Sequence, residues 1–229
     1  MALSIETKDT TALSDAELAE MADICAGGMA GYDVGLVSKS TEEWVLITQV
    51  QASGGDVEGP VLAGFSFCTL ERIGGTPCVL IGLASVARGP DRSAVLAAMV
   101  GDQLRRAVLA FPDEDVLVGT CLLDPAAFAA FAGLVDVVPS PGHKASGEER
   151  AWARRLAKRF GAEGRVDDRT FLVSGTGEPA PALDYEADAE TSPDPDVAAF
   201  FTGLDRARGD RVIAFGWAMA EDLAARASR

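Results

Sequence analysis

The segment from residue 77 to residue 110 constrains the fold more than any other part of the sequence. Residues 77–87 form an apolar, β-branched run that predicts a strand, and Arg88-Gly89-Pro90 follows as a turn. A helical pattern then begins near Asp91. A strand that leads through a short turn into a helix leaves several backbone N–H groups unpaired at the positive end of the helix dipole. The segment therefore predicts either a site for an anion such as phosphate or an ordinary strand-to-helix crossover.

The surrounding patterns predict a mixed α/β domain. Residues 2–9 form a strand pattern, and Ser14 and Glu17 have the spacing of a capping box that starts a helix. Gly74-Gly75 predicts a hairpin turn before the strand at residue 77. Further strands are predicted at residues 44–50, 61–70 and 116–121. The predicted order is strand, helix, three-stranded meander, turn, helix and strand.

This element order resembles that of the Gcn5-related N-acetyltransferase (GNAT) superfamily. In that family the turn before the helix has the pattern Arg/Gln-x-x-Gly-x-Gly/Ala, and its amides hold the pyrophosphate of acetyl-CoA. A later strand and the segment after it flank the acyl-transfer site. The resemblance covers roughly residues 2–174 and is closer in element order than in motif. It implies an α/β fold with a mixed, mostly antiparallel central sheet flanked by helices.

The resemblance also implies a cofactor, acetyl-CoA or another acyl-CoA, bound at the turn and at the segment after residue 121. The residues that it assigns to cofactor binding are Val86, Arg88, Gly89, Arg92, Ser93, Ala94, Asp124 and Phe128. The acceptor would be a small-molecule or peptide amine. The first functional hypothesis is therefore an acyl-CoA-dependent N-acyltransferase.

The turn departs from the family pattern in two places. Asp91 stands where the family has its central Gly, and Pro90 has no N–H to donate to a phosphate. A carboxylate at that position would repel the anion, although Arg88 and Arg92 would partly restore a positive field. Asp91 is then either an internal substitute for a phosphate or a simple first-turn acid.

The acyl-transfer position departs as well. Phe131 stands where the family has a Tyr general acid, and it has no proton to give. Asp124 stands where the family often has Asn, and an Asp before a Pro is also an ordinary helix N-cap. Glu58, Glu71 and Cys121 are the remaining candidates for a base, and none of them is assigned a catalytic role. The alternative hypothesis is a non-catalytic GNAT-like module that binds a partner through its cleft or its tail.

Composition excludes several other classes of function. The chain of 229 residues has a formal charge of −15, so duplex nucleic acid and anionic membranes are not expected as partners. No apolar run approaches the ~20 residues of a membrane span, and we expect a cytoplasmic protein. The four cysteines form no Cys-x-x-Cys pair and there is one histidine, His143, so no metal site is predicted.

A basic segment interrupts this acidic balance. Within residues 144–169, Trp152, Leu156 and Phe160 recur every four positions, which predicts an amphipathic helix with a basic outer face. Such a face is usually solvated. The alternatives are contact with an acidic partner, with the 3′-phosphate of CoA or with the acidic tail of this chain. Residues 166–174 predict the last strand of the main domain.

The tail divides the chain into residues 1–174, a GNAT-like domain, and residues 175–229, an extension. Residues 175–196 contain four prolines, seven acidic residues and no Lys or Arg, which predicts an exposed arm. A helix is predicted at 196–204, a strand at 211–217 and a helix at 218–227. Some fifty residues are too few for an independent core, so we expect the extension to dock on the main domain or to mediate a homodimer.

Overall fold

The computed structural model describes residues 2–54, 59–187 and 193–227. Its helices are α1 (Asp15–Ala26), α2 (Val34–Glu43), α3 (Arg92–Ala110), α4 (Gly147–Arg159), α5 (Pro195–Ala198) and α6 (Ala220–Ala227). Its strands are β1 (Ala2–Asp9), β2 (Leu46–Ser53), β3 (Val61–Ile73), β4 (Thr76–Val86), β5 (Val116–Leu122), β6 (Val135–Val138), β7 (Leu172–Val173), β8 (Leu183–Asp184) and β9 (Arg211–Ala218). A 3₁₀ segment, Pro125–Phe131, follows β5.

The strands form one mixed sheet in the order β1-β2-β3-β4-β8-β5-β9-β6, and β7 pairs with β9. Strands β1 to β4 are antiparallel neighbours, and β4 and β5 are parallel. β5 and β9 are again antiparallel. The predicted fold class, an α/β fold with a mostly antiparallel central sheet flanked by helices, is therefore confirmed.

Alternation along β4 explains why helices cover both faces of the sheet. Cys78 and Leu80 pack into a core with α1, α2 and α4, whereas Val79 and Ile81 pack into a second core with α3. Successive side chains of a strand point to opposite faces, so a continuous apolar run must be buried on both sides. The apolar segment that predicts β4 thus also requires helices on both faces.

The parallel pairing of β4 and β5 ends partway along both strands. Residues 78–81 pair with residues 117–120, and the Thr120 hydroxyl donates to the Ile81 carbonyl at 2.9 Å. Beyond this point β8 lies between the two strands, where Leu183 is the partner of both Ala84 and Leu122. A segment of the C-terminal extension therefore fills the split between β4 and β5.

The C-terminal extension is more buried than the sequence predicts. Residues 182–185 are buried, although the acidic, proline-rich composition predicts an exposed arm. Strand β9 lies between β5 and β6 and is buried along nearly its whole length. The boundary between residues 174 and 175 stays a prediction, but the sheet itself includes strands from both sides of it.

Two further expectations need correction, and one helix was not predicted. The strand expected at 166–174 is reduced to β7, because Phe171 has a φ of 61° and its N–H donates to the Asp167 carbonyl in a turn. The helix expected at 196–204 is the short α5 followed by a 3₁₀ turn. Helix α2 has no counterpart among the sequence predictions.

Candidate functional site

The turn between β4 and α3 ends without a side-chain cap. Asp91 occupies the N-cap position, but its carboxylate accepts no capping hydrogen bond from the first turn of α3. The Asp91 carbonyl accepts from the Val95 N–H at 3.0 Å, and the Arg92 N–H is 3.4 Å from the Gly89 carbonyl. The backbone therefore forms an ordinary helix start, and the helix begins near Asp91 as predicted.

The two arginines of the turn contact the C-terminal extension. Arg88 Nη2 lies 2.7 Å from Glu186 Oε2. Arg92 Nη1 donates to the carbonyls of Glu186 and Ala187, each at 2.9 Å, and Arg92 Nε donates to the Gly89 carbonyl at 3.0 Å. The carboxylate that pairs with Arg88 is thus that of Glu186, and the role of Asp91, a substitute for a phosphate or a first-turn acid, stays a prediction.

Residues 182–185 continue the pleat of the sheet across the split. Ala182 packs into the core under α1, and Leu183 and Tyr185 pack into the opposite core under α3. The Ala182 carbonyl accepts from the Ala84 N–H at 3.1 Å, which extends the ladder with β4. This arrangement has both the backbone pairing and the side-chain alternation of a true strand.

The Asp184 side chain anchors the same segment from the side of α1. Asp184 is 3% exposed, and its carboxylate accepts from the backbone N–H groups of Met29 and Ala30 at 3.3 and 3.1 Å. Burial raises the pKa of Asp184, and the two backbone hydrogen bonds oppose that rise. A side chain at Gly28 would clash with this carboxylate. Glycine at this position lets the α1–α2 connection approach the arm closely.

The eight residues assigned to the cofactor divide into two groups. Val86, Arg88, Gly89, Arg92, Ser93 and Ala94 lie together at the end of β4 and the start of α3. Asp124 and Phe128 lie apart on the 3₁₀ segment that follows β5. Their role in cofactor binding stays a prediction, and the contacts of the second group show other partners.

Asp124 has the capping role that the sequence alternative allows. Its Oδ1 accepts from the Ala126 N–H at 2.9 Å, and its Oδ2 pairs with Arg206 Nη2 at 3.1 Å. Phe128 packs in an aromatic cluster with Phe131, Phe200 and Phe201, at ring-centroid distances of 6.0 to 6.3 Å. Residues of the extension thus cover the position that the family resemblance assigns to acyl transfer.

Two of the remaining candidate bases, Glu71 and Cys121, lie in structural surroundings. Glu71 Oε1 accepts from Arg159 Nε at 2.8 Å, and Cys121 is buried in the sheet, which raises the pKa of its thiol. His143 pairs with Glu149 at 2.9 Å on the surface. Glu58 lies outside the described residues. In the part of the chain that the structure describes, no group of acidic, cysteine and histidine side chains is placed to hold a metal ion.

An open pocket of about 460 Å³ lies beside the filled split, between α1 and the start of β3. Glu20 and Asp23 contribute two carboxylates to its lining, and Ile24 and Leu62 contribute apolar surface. Arg88 borders it on the side of the arm. Two carboxylates next to an apolar wall suit a ligand with a cationic group.

No helix among the described residues is long and apolar enough to span a membrane. No protein-family model matches the chain, and no curated protein sequence matches it. Similarity is found only to solved structures, and those described next are N-acetyltransferases or a complex bound to CoA.

The ribosomal-protein-S18-alanine N-acetyltransferase from Escherichia coli is 10% identical, with 94% of this chain and 95% of that chain covered and a TM-score of 0.47. The aminoglycoside 6′-N-acetyltransferase from Enterococcus faecium is 16% identical over 53% of this chain and 62% of that one, with a TM-score of 0.37. The NatC complex bound to Gag peptide and CoA is 15% identical over 58% and 83%, with a TM-score of 0.39. TM-scores below 0.5 do not establish a shared activity. The structures to which this chain is similar thus include N-acetyltransferases.

Proposed function

We propose that the protein is a non-catalytic, GNAT-like binding module that fills its own acyl-CoA groove with residues 182–187. The observation on which this proposal chiefly rests is the position of β8 in the split between β4 and β5. By the family resemblance, the pyrophosphate of acyl-CoA lies at the start of α3 and the acyl group lies near the end of β5. The path between these two points runs through the space that β8 occupies.

The charges of the turn support the same proposal. Arg88 and Arg92 are the cations that would attract a pyrophosphate, and they contact the Glu186 carboxylate and two carbonyls of the arm. A phosphate would have to displace these groups, and it would also meet the carboxylate of Asp91. Pro90 lacks an N–H to offset that cost.

The side chains at the position that the resemblance assigns to acyl transfer provide no obvious proton donor or acceptor. Phe131 is buried and has no ionisable group, and Asp124 is held by Ala126 and Arg206. The pocket lined by Glu20 and Asp23 remains open beside the arm. We expect this pocket to bind a cationic ligand such as an amine without acetylating it.

An acyl-CoA-dependent N-acyltransferase is the second candidate, and the small extent of β8 favours it. The strand has two residues, and the Arg88–Glu186 ion pair at its end is exposed to solvent at 55% and 44%. Exposed ion pairs contribute about 0–1 kcal/mol, so this contact alone holds the arm weakly. Under this candidate, the arm leaves the groove before acyl-CoA binds.

Titration with acetyl-CoA tests the proposal. A ligand at one hundred times its Kd stabilises a protein by about 2.7 kcal/mol, so binding would raise the Tm measurably. We expect no such shift in the native protein and no release of free CoA with alkyl amines. Asp184→Ala removes the buried anchor of the arm, and Glu178→Ala, an exposed acidic position on the same arm, is its matched control.

The outcomes separate the two candidates. Binding and turnover by the native protein would overturn the proposal. Binding by Asp184→Ala, but by neither the native protein nor Glu178→Ala, would identify the arm as the barrier. Turnover by that variant would favour the second candidate.

A further inference from the structure

A second pocket, of about 420 Å³, lies where the C-terminal ends of α2 and α4 meet the start of the acidic arm. Its lining carries five cationic side chains and one acidic side chain, Glu43. The cations are Lys39, Lys158, Arg159, Arg165 and Arg211. This excess of positive charge contrasts with the formal charge of −15 of the whole chain. We call it the Arg211 pocket.

Arg211 is the most unusual of these cations because it is 1% exposed. Its Nη2 donates to the Phe160 carbonyl at 3.3 Å and the Cys121 thiol contacts the guanidinium, while Nε and Nη1 have no oxygen acceptor among the described residues. None of the carboxylates that the structure describes forms an ion pair with it. A buried charge without a partner is strongly destabilising, because it has lost its hydration without gaining a counter-charge. The Arg211 guanidinium therefore lacks the counter-ion that its burial calls for.

Three acidic groups, one adjacent in sequence and two in electrostatic contact with Arg211, do not supply this counter-ion. Asp210, the preceding residue, binds Arg208 and the backbone N–H groups of Gly175 and Asp205 instead. Cys121 and Tyr32 both interact electrostatically with Arg211, but burial raises the pKa of each. Both groups are therefore neutral near pH 7, and the positive charge remains uncompensated.

Two of the surrounding cations are exposed and form only long, exposed ion pairs. Lys158 is 71% exposed and its contact with Glu163, at 3.6 Å, is also exposed. Lys39 lies 3.9 Å from Glu43 on the opposite side. In contrast, Arg159 is held by Glu71, and Arg165 donates to the carbonyls of Ser174 and Gly161. Two exposed lysines and one buried guanidinium thus line the same pocket.

We propose that the Arg211 pocket binds a phosphorylated small molecule, with its phosphate paired to Arg211 and Lys158. A guanidinium matches the oxygens of a phosphate through two parallel hydrogen bonds, and nearby lysines add charge. The pocket is larger than a phosphate group, and the rings of Trp44 and Phe160 give it an apolar wall. This wall suits the organic part of a phosphate monoester. The pocket is separate from the groove that β8 fills.

Inorganic phosphate and phenyl phosphate are the probes for the test. Each is titrated into the full-length protein at constant ionic strength set with sodium chloride, and the Tm is followed. We expect a saturable rise in Tm with phosphate, and a lower Kd for phenyl phosphate because its ring packs on the apolar wall. Chloride alone should have no comparable effect. A Tm that depends on ionic strength alone would overturn the proposal.

Three variants locate the site. Lys158→Gln and Arg211→Met should each raise the phosphate Kd about tenfold or more, the value expected for the loss of a charged hydrogen bond. Arg155→Gln removes an exposed charge from the same helix outside the pocket and should leave the Kd unchanged. Arg211→Met should also raise the Tm in phosphate-free buffer, because an apolar side chain of similar length removes an uncompensated charge.

Equal losses in Arg155→Gln and Lys158→Gln would show general charge attraction and would overturn the proposal. If Arg211→Met does not fold, the double variant Lys39→Gln/Lys158→Gln provides the same test with two exposed positions. Unchanged phosphate affinity in that double variant would also overturn it. None of these outcomes depends on whether acetyl-CoA binds.

Discussion

Leu183→Ala tests most directly whether the arm is part of the fold. Leu183 is 0% exposed and packs in the core under α3, where β8 pairs with both β4 and β5. Replacing a fully buried Leu by Ala costs about 2–5 kcal/mol, because it removes buried apolar surface and leaves a cavity. For a chain of this size, each 1 kcal/mol shifts the Tm by about 2–4 °C. We expect the Tm to fall by at least about 4 °C.

Leu109→Ala is the matched control for this substitution. Leu109 lies on α3 and is 79% exposed, so its truncation should change the stability by no more than about 0.5 kcal/mol. Urea unfolding gives the free energy of each variant, and hydrogen exchange reports on the amides of residues 183–185. A Leu183→Ala stability equal to that of Leu109→Ala, with fast exchange of these amides in the native protein, would refute the packing of the arm.

Three other substitutions or deletions test separate parts of the molecule. Asp91→Gly should give no acetyl-CoA binding by itself, because the arm still fills the groove; a Kd in the micromolar range from calorimetry would contradict this. Deletion of residues 205–229 removes β9 from between β5 and β6, so we expect insoluble protein or a Tm lower by several degrees; a soluble truncation with the native Tm would be inconsistent with a central β9. The hydrogen bond from Arg208 lowers the pKa of Asp210 to about 2, below its ordinary value of 3.8. The stability that Asp210 contributes is therefore present above about pH 4 and is lost as the pH falls towards 2, so Asp210→Asn should flatten the acid limb of the Tm profile; an unchanged slope would contradict the assignment.

The main sheet is predictable from sequence because local signals agree with the tertiary fold. The capping box of Ser14 and Glu17 and the Gly74-Gly75 turn are local, and both form as predicted. The continuous apolar run of β4 is also recognisable from the sequence, because both faces of this strand are buried. In these segments, periodicity and turn residues predict the secondary structure without knowledge of contacts to distant residues.

The site depends on long-range pairing that the sequence does not display. Residues 182–185 contain three hydrophobic side chains, Ala182, Leu183 and Tyr185, within an acidic, proline-rich stretch, which is too weak a signal for a buried strand. The strand forms because the split between β4 and β5 offers backbone partners and two cores. For Arg211, the sequence offers one indication of an unusual position: a charged residue stands at the start of the apolar run of β9. Its burial follows only from the position of β9 inside the sheet.

Under the proposed function, two features oppose acyl-CoA binding, and their effects are separable. The first is the arm, which occupies the space between β4 and β5. The second is the turn, where Pro90 and Asp91 lower its capacity to hold a phosphate. If the arm is the only barrier, releasing it restores binding and Asp91→Gly adds little. If the arm and the turn both oppose binding, neither Asp184→Ala nor Asp91→Gly alone restores it. The double variant then binds acetyl-CoA more tightly than the sum of the two single effects predicts. The difference between the acetyl-CoA affinity of the combined variant and the sum of the single effects therefore separates the two alternatives. A small difference indicates a latent acyltransferase closed only by its arm, and a large one indicates a fold whose groove has become part of its own core.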